Sequence, residues 1–395
     1  MIHVVIALST PRKAPYDILL KMKKRYDIVY VTQDSLQEGI GMSQIVPVVI
    51  GLASRGWKVG VLSCEKKTET DLVEKRLKLA GVDWHVLNFG SRGPLGGAIR
   101  ILRIALSLPS GKFYHCRSDM AAAACALRFK RNILWDVRSL WIDQKIIIEN
   151  ISPNSISVKI ARMLERVASK KARAVTTLTQ AVYPVLVTRN PEISSNHLVI
   201  PTCTDLEEFF FSRTIPKERR LLLSGVFNNY YDLDATRRFI EEYRKTEDLI
   251  VTWCHGKEAS RKSLEVGEDE IKILAQVQMR NEIAQSSFGL ALCKTNIGDS
   301  LKGVMPTKIA EFLSVGRPVV VSEGIGDLEE LLLSTNTGVI LRDDYSKAIS
   351  ELNLLLNDAE TPVRCRNLAV SHFDMATAIA KYDSIFTKMS NKLPF

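Results

Sequence analysis

Short apolar segments alternate with helical patterns along nearly all of this chain, and that alternation restricts the fold to parallel sheets assembled from βαβ units. In the first half, strands are predicted near 26–32 (YDIVYVT), 58–64, 84–88, 112–116, 131–137 (RNILWDV), 174–178 and 197–201, with 2–8 as a further candidate. The second half repeats the pattern near 219–224, 248–254, 271–276, 288–293 and 318–322. Between strands, Ile45, Val48, Val49, Leu52 and Ala53 share one helical face, as do Ile160, Met163, Leu164, Val167 and Ala168. Both stripes are predicted to be core. Met375, Ala378, Ile379, Tyr382, Ile385 and Phe386 form a last stripe, so the terminal helix is expected to pack.

A chain of 395 residues can fill two cores, and the boundary is placed between Pro201 and Pro216, where the charge balance changes sign. Residues 1–205 hold 30 Lys and Arg against 16 Asp and Glu, and the remainder 24 against 28. The expected division is a basic domain over 1–205, a second over 206–372, and a helical segment over 373–395 that packs and can cross back to the first domain. The basic half suits an anionic partner. Its clusters Lys21 to Arg25 and Lys170 to Arg173 lack the interleaved aromatics of a nucleic-acid module, so no nucleic-acid partner is expected. The longest uncharged run, 16 residues between Glu38 and Arg55, is too short and too polar to span a bilayer. The order of charges in MIHVVIALSTPRK does not suit a secretory signal, so a cytoplasmic location is expected.

Residues 305–322, MPTKIAEFLSVGRPVVVS, form the most legible local unit. Pro306 suits a first helical turn, Ile309, Phe312 and Leu313 its buried face, Gly316 its end, and Pro318 the approach to a strand. The amides of Thr307 and Lys308 lack helical partners, so with the Lys308 ammonium they offer a phosphate site. Glu311 follows on the same side, where its carboxylate can accept from two ribose hydroxyls; a solvated Lys308–Glu311 pair is the plainer alternative.

Gly39-Ile-Gly41 and Gly324-Ile-Gly326 follow strands, and the first opens onto a helix where a phosphate can approach. Neither is a dinucleotide fingerprint, since Gln44 stands where a third glycine is required. GSRGPLGG (90–97) has no following Gly-Lys-Ser/Thr and is predicted to be a surface loop. In RNILWDVRSLWID (131–143), a strand ends at Asp136 and Arg138, charges that a parallel sheet expels into the crevice beyond its strand ends. Trp141 offers a stacking surface. His115, Arg117 and Asp119 make a similar strand end, and structural pairs Asp136–Arg138 and His115–Asp119 are the alternative. No H-E-x-x-H, G-x-S-x-G or Walker pattern occurs. The seven cysteines form no C-x-x-C pair, so no metal site is expected.

Taken together these pieces resemble the GT-B glycosyltransferases of retaining family 4 (glycosyl transferases group 1), of the bacterial surface-polysaccharide type. The resemblance runs from about Tyr30 onward. VTQDSLQEGIGMSQIVPVVIGLASRGWKVGVLS resembles the family opening, HCRSDMAAA and WDVRSLWIDQK two segments of one subgroup, VIPTCTDLEEF the interdomain passage, and PTKIAEFLSVGRPVVVSEGIGD the donor-site segment. It implies two Rossmann-like, doubly wound parallel-sheet domains facing each other across a cleft. It also implies a retaining transfer of sugar from a nucleotide-diphosphate sugar to a saccharide or lipid-linked saccharide, without metal or cofactor beyond that UDP- or GDP-linked donor.

By the same resemblance, Glu311 binds the donor ribose, Lys308 with the Pro306–Lys308 amides the diphosphate, and Gly225 forms the turn after the first strand of the donor domain. Gly41 approaches the diphosphate from the other side. Asp136, Arg138, Lys308 and Glu311 are the catalytic candidates, and Trp141, His115 and Arg117 the acceptor-side ones. The implied acceptor is polyprenyl-diphosphate-linked, and the implied place is the cytoplasmic face of an anionic inner membrane, as a peripheral protein. The sequence departs from the family in three respects: Gly303 stands where the first glutamate of Glu-x7-Glu belongs, GVFNNYYDLD (225–234) replaces the usual Arg and Lys, and the first 25 or so residues have no counterpart. A non-catalytic nucleotide-binding relative and a nucleotide-sugar epimerase are the alternative readings.

Overall fold

The computed structural model describes residues 24–66, 71–225, 230–254, 269–274 and 276–391. The strand candidate at 2–8, most of the cluster Lys21 to Arg25, and residues 226–229 lie outside the described residues.

The first sheet contains β1 (Arg25–Val31), β2 (Val59–Glu65), β3 (Asp83–Asn88), β4 (Ser110–Arg117), β5 (Ile133–Val137), β6 (Ala172–Thr177) and β7 (His197–Val199). All pairs are parallel, in the order β3-β2-β1-β4-β5-β6-β7. Continuous apolar runs make this possible, because a parallel strand covered on both faces needs no polar alternation, and β2 is buried throughout. A π-turn at Gly41–Ile45 leads into α1 (Val46–Ser54), which shares one face of the sheet with α2 (Asp71–Leu79). The opposite face carries α3 (Gly93–Ser107), α4 (Asp119–Leu127), α6 (Ile156–Lys171) and α7 (Val182–Arg189), while α5 (Trp141–Glu149) turns Ile147 and Ile148 toward the second domain. The side chains of Ala121 to Ala124 are so small that α4 sinks completely between its neighbours α3 and α6.

The second domain holds two three-stranded parallel sheets: β10-β9-β8, from β8 (Arg220–Ser224), β9 (Ile250–Cys254) and β10 (Glu270–Lys272), and β11-β12-β13, from β11 (Gly289–Ala291), β12 (Val319–Ser322) and β13 (Gly338–Leu341). A parallel bridge between Leu221 and Phe288 joins them, so the strand order reverses between β8 and β11. The covering helices are α8 (Leu233–Arg244), α9 (Gln276–Gln285), α10 (Thr307–Ser314), α11 (Leu328–Thr335), α12 (Tyr345–Asn357) and α13 (Thr361–His372). The last helix, α14 (Met375–Asn391), packs on the first domain, with Ile379 against Gly51 and Phe386 against Trp57 and Phe113. There Asp383 accepts from Trp57 Nε1 at 2.7 Å and pairs with Arg55 at 3.2 Å.

Three expectations are corrected, and one strand went unread. Residues 93–97 of GSRGPLGG belong to α3, because Pro94 sits in the first turn, where its missing N–H costs nothing. β13 escaped sequence reading because the four residues GVIL follow closely on the apolar LEELLLST helix. Of the stripe assigned to core on α6, Ala168 is buried but Ile160 and Met163 are exposed. His115 pairs with Asp136 rather than Asp119, whose carboxylate accepts from Trp135 Nε1 at 3.1 Å.

The domains meet through polar contacts at the ends of their strands. Asp327 accepts from the amides of Gln180 at 2.6 Å and Ala181 at 2.9 Å, Thr202 Oγ1 donates to the Met305 carbonyl at 2.8 Å, and Thr179 Oγ1 donates to the Lys302 carbonyl.

Candidate active site

Open parallel sheets bind ligands beyond the carboxyl ends of their strands at the point where strand order reverses. In the second domain that point lies between β8 and β11, and the residues gathered there are those of the 305–322 unit. Pro306 caps α10 in an extended conformation; the Ile309 amide donates to its carbonyl at 3.0 Å, and among the described residues no side-chain cap takes the amides of Thr307 and Lys308, which are left as donors. Lys308 folds back from that turn so that Nζ donates to the Ser224 carbonyl at 2.6 Å, at the very end of β8. The ammonium also lies 4.9 Å from the centre of the Tyr231 ring. Gly225, with φ +125°, follows immediately, and the position a Cβ would take there is 3.7 Å from Lys308 Nζ. Lys308, Gly225 and the start of α10 thus form one cluster. Burial pulls the Lys308 ammonium below its ordinary pKa, a penalty that an arriving phosphate would relieve.

Glu311 sits one turn further along, partly buried, with its carboxyl pushed up to about 7 by burial against the opposing pull of Lys308 and Arg280. Arg280, on α9, was not singled out in the sequence. It pairs with Glu208, lies 5.8 Å from the Phe209 ring centre, and its buried Nε has no partner among the described residues. No local motif marks it, since its relation to Glu311 exists only in the fold.

Gly303, standing where the family resemblance called for a glutamate, packs tightly against the first domain. A Cβ there would stand 3.2 Å from the Leu140 nitrogen and 3.2 Å from Val182 Cγ2, so the interface leaves little room for a longer side chain.

In the first domain, Gly41 opens the π-turn, and a Cβ on it would overlap the Ser35 carbonyl at 2.1 Å. Glycine is required there by backbone packing. Two residues beyond the sequence-level candidates hold this turn. Glu65, at the end of β2, accepts from the Leu36 amide at 2.9 Å, Ser63 Oγ at 2.6 Å, Gln37 Nε2 at 3.2 Å and Ser35 Oγ. Gln44, the residue that breaks the glycine fingerprint, donates to the Cys203 carbonyl at 2.8 Å and accepts from its amide at 3.3 Å.

Asp136 is not expelled into a crevice: it is 1% exposed, at the centre of a buried network. Oδ1 accepts from Thr176 Oγ1 at 2.9 Å, and Oδ2 from the Tyr382 hydroxyl at 3.2 Å and His115 Nε2 at 3.3 Å. Arg138 lies 3.5 Å from Oδ1 and donates to the Ile200 carbonyl at 3.1 Å. Burial pushes the Asp136 carboxyl up, but Arg138, His115 and Arg117 together hold it well below the carboxylate range. Arg117 itself donates to Asp34 at 3.0 Å. Trp141 stands apart from this network at the start of α5, partly buried under the Lys145 ammonium at 5.3 Å. The structure therefore brings Gly225, Pro306, Thr307, Lys308 and Glu311 together at one switch point. It gathers His115, Asp136, Arg138 and Arg117 into a separate buried cluster.

Both domains are doubly wound, and with this switch-point site they define the GT-B fold. Solved structures of that fold match nearly the full length of the chain at low identity. Sucrose-phosphate synthase from Thermosynechococcus elongatus superposes with a TM-score of 0.70 at 12% identity, covering 94% of this chain and 100% of its own. Anabaena HepE in complex with UDP and glucose gives 0.66 at 12%, covering 92% and 99%. WaaG, a glycosyltransferase involved in lipopolysaccharide biosynthesis, gives 0.65 at 11%, covering 91% and 99%. No family model and no curated protein matches the sequence.

Proposed function

We propose that this protein is a glycosyltransferase of the retaining family-4 type. It moves a sugar from a UDP- or GDP-linked donor to a saccharide or polyprenyl-diphosphate-linked saccharide during cell-surface polysaccharide assembly, on the cytoplasmic face of the inner membrane. The observation that carries this reading is the convergence of Lys308 Nζ, Gly225 and the free first-turn amides of α10 at the switch point between β8 and β11. When the bond from the anomeric carbon to the diphosphate breaks, its electron pair stays on the phosphate oxygen. Preorganised amides and an ammonium stabilise that charge without further reorganisation, so no metal is needed. Glu311 accepts from the ribose, while the buried Asp136–Arg138 cluster holds α14 on the first domain. The HepE and WaaG likenesses, one holding UDP and glucose and the other a glycosyltransferase by description, favour a nucleotide-sugar ligand.

The test is thermal unfolding with UDP, GDP, CMP, their sugars, NAD and a short RNA. A ligand at 100 times its dissociation constant stabilises by about 2.7 kcal/mol, so one nucleoside diphosphate and its sugar should raise Tm by several degrees. A flat response to every nucleotide would overturn the proposal.

Glu311 adds a pH signature. With its carboxyl near 7, the ionised acceptor form dominates only above neutrality, so nucleotide-sugar affinity should rise as pH increases from 6 to 8. Titration calorimetry checks this, and Glu311→Gln should bind weakly with a flat profile over the same range. A slope retained in the variant would assign the titration to another group.

A further inference from the structure

The outer helical face of the first domain carries an apolar surface that the packing does not use. On α3, Leu95, Ile99, Leu102 and Leu106 recur at helical spacing on the solvent side, with Leu95 75% exposed. On α6, Ile156, Ile160 and Met163 repeat the same spacing, with Ile156 77% exposed. The two helices flank the sunken α4 on one face of the sheet, so their outer stripes belong to the same surface. From the end of α4 toward β5 runs Leu127-Arg-Phe-Lys-Arg131, in which Phe129 is 90% exposed and held in the left-handed region at φ +55°. A bulky non-glycine residue in that region is uncommon, and an exposed aromatic ring gains nothing from packing to offset it.

The exposed charge carried by these segments is basic, although Lys170 pairs with Glu192 beyond α6 at 3.0 Å and Arg162 with Asp143 at 2.8 Å. Arg103 on α3, Arg128 and Arg131 in the loop, and Lys159, Arg166 and Lys171 on α6 are exposed, and no exposed position of α3, α6 or 127–131 is acidic. From Phe89 to Trp135 the only acid is Asp119, which is buried. Apolar stripes rimmed by cations suit a bilayer with anionic headgroups: the side chains enter the acyl boundary while the cations stay with the phosphates. A protein partner would need a matching acidic groove, and an RNA would leave the leucines and Phe129 unused.

We infer that this α3–α4–α6 face docks on anionic lipid bilayer, with Phe129 as an inserted wedge. The inference gives a surface to the membrane partner named in the functional reading above and rests on that reading. The test is flotation of the full-length protein with phosphatidylcholine vesicles, with and without phosphatidylglycerol, at low and high salt. Each cation near an anionic surface contributes about fivefold in affinity, so Arg103→Glu/Arg128→Glu/Arg166→Glu should weaken binding by ~100-fold or more. Phe129→Asn suits the left-handed backbone and should fold at least as well, yet weaken binding by about tenfold, the transfer cost of the lost ring. Salt-sensitive flotation with phosphatidylglycerol, reduced in both variants, bears the inference out. Absent flotation, equal flotation of wild type and both variants, or full displacement by short RNA would overturn it. So would a stable dimer by sedimentation that buries Phe129 and persists with vesicles. Nucleotide-induced stabilisation is read in parallel: its loss with flotation intact sinks the transferase reading alone, and the reverse sinks only the membrane surface.

Discussion

Replacing Lys308 with alanine is expected to lower the rate of donor-sugar consumption by ~10²–10³-fold, the range measured when one preorganised donor to a developing oxyanion is removed. The ammonium is set at the end of β8 by the Ser224 carbonyl, 2.6 Å away, and by the Tyr231 ring, so its position is fixed before any ligand arrives. On the proposed transferase reading such a group would act on the leaving diphosphate more than on the ground state, so the loss should fall mainly on kcat. Lys308→Arg should not rescue it. A planar guanidinium is wider than an ammonium, and Gly225 with the Ser224 carbonyl leaves a place shaped for one nitrogen. The measurement is initial rate with the nucleotide sugar selected by the unfolding panel, beside the unfolding temperature of each variant. An unchanged kcat with an unchanged Tm would remove Lys308 from the reaction.

The parts of this site that were legible in the sequence are those carried by neighbours along the chain. Pro306, Lys308, Glu311 and Gly316 declare a helix start, two side chains on one side and a helix end within 11 residues, and the structure realises α10 in that form. Strand alternation likewise placed β1 to β12, because fully buried parallel strands leave continuous apolar runs. What could not be read depends on partners far apart in sequence. Tyr382 reaches Asp136 across 246 positions, and Gln44 reaches Cys203 across 159. Charged residues at strand ends looked like cleft residues because the sequence, which left the last helix able to cross back, does not show that its Tyr382 lands on Asp136. The same reasoning explains the error on α6: the stripe from Ile160 to Ala168 has core spacing, but only Leu164, Val167 and Ala168 meet the core on the sunken α4 side of the sheet, and Ile160 and Met163 lie just past it.

That covering helix sets the second large effect. Asp136→Ala should destabilise the protein by about 3–5 kcal/mol, because it leaves Arg138, the Thr176 and Tyr382 hydroxyls and His115 without the buried charge that satisfies them. For a domain of this size that corresponds to a fall in Tm of roughly 6–20 °C. Asp136→Asn keeps an acceptor for Thr176 or Tyr382 but not the charge facing Arg138, and should fall between. The pH dependence follows from the same atoms. Burial holds His115 below its ordinary 6.5, so its contribution is complete above that value and is lost as pH falls through the depressed one. Asp136 is also depressed, so its contribution is present above 3.8 and is lost at still lower pH. Wild-type stability should therefore decline in two stages on acidification, and the second stage should be missing in Asp136→Asn. Chemical denaturation across that range is the direct measurement. If Asp136→Ala instead kept its Tm while losing transfer activity, the carboxylate would be a reacting group and not the keystone between β5 and α14.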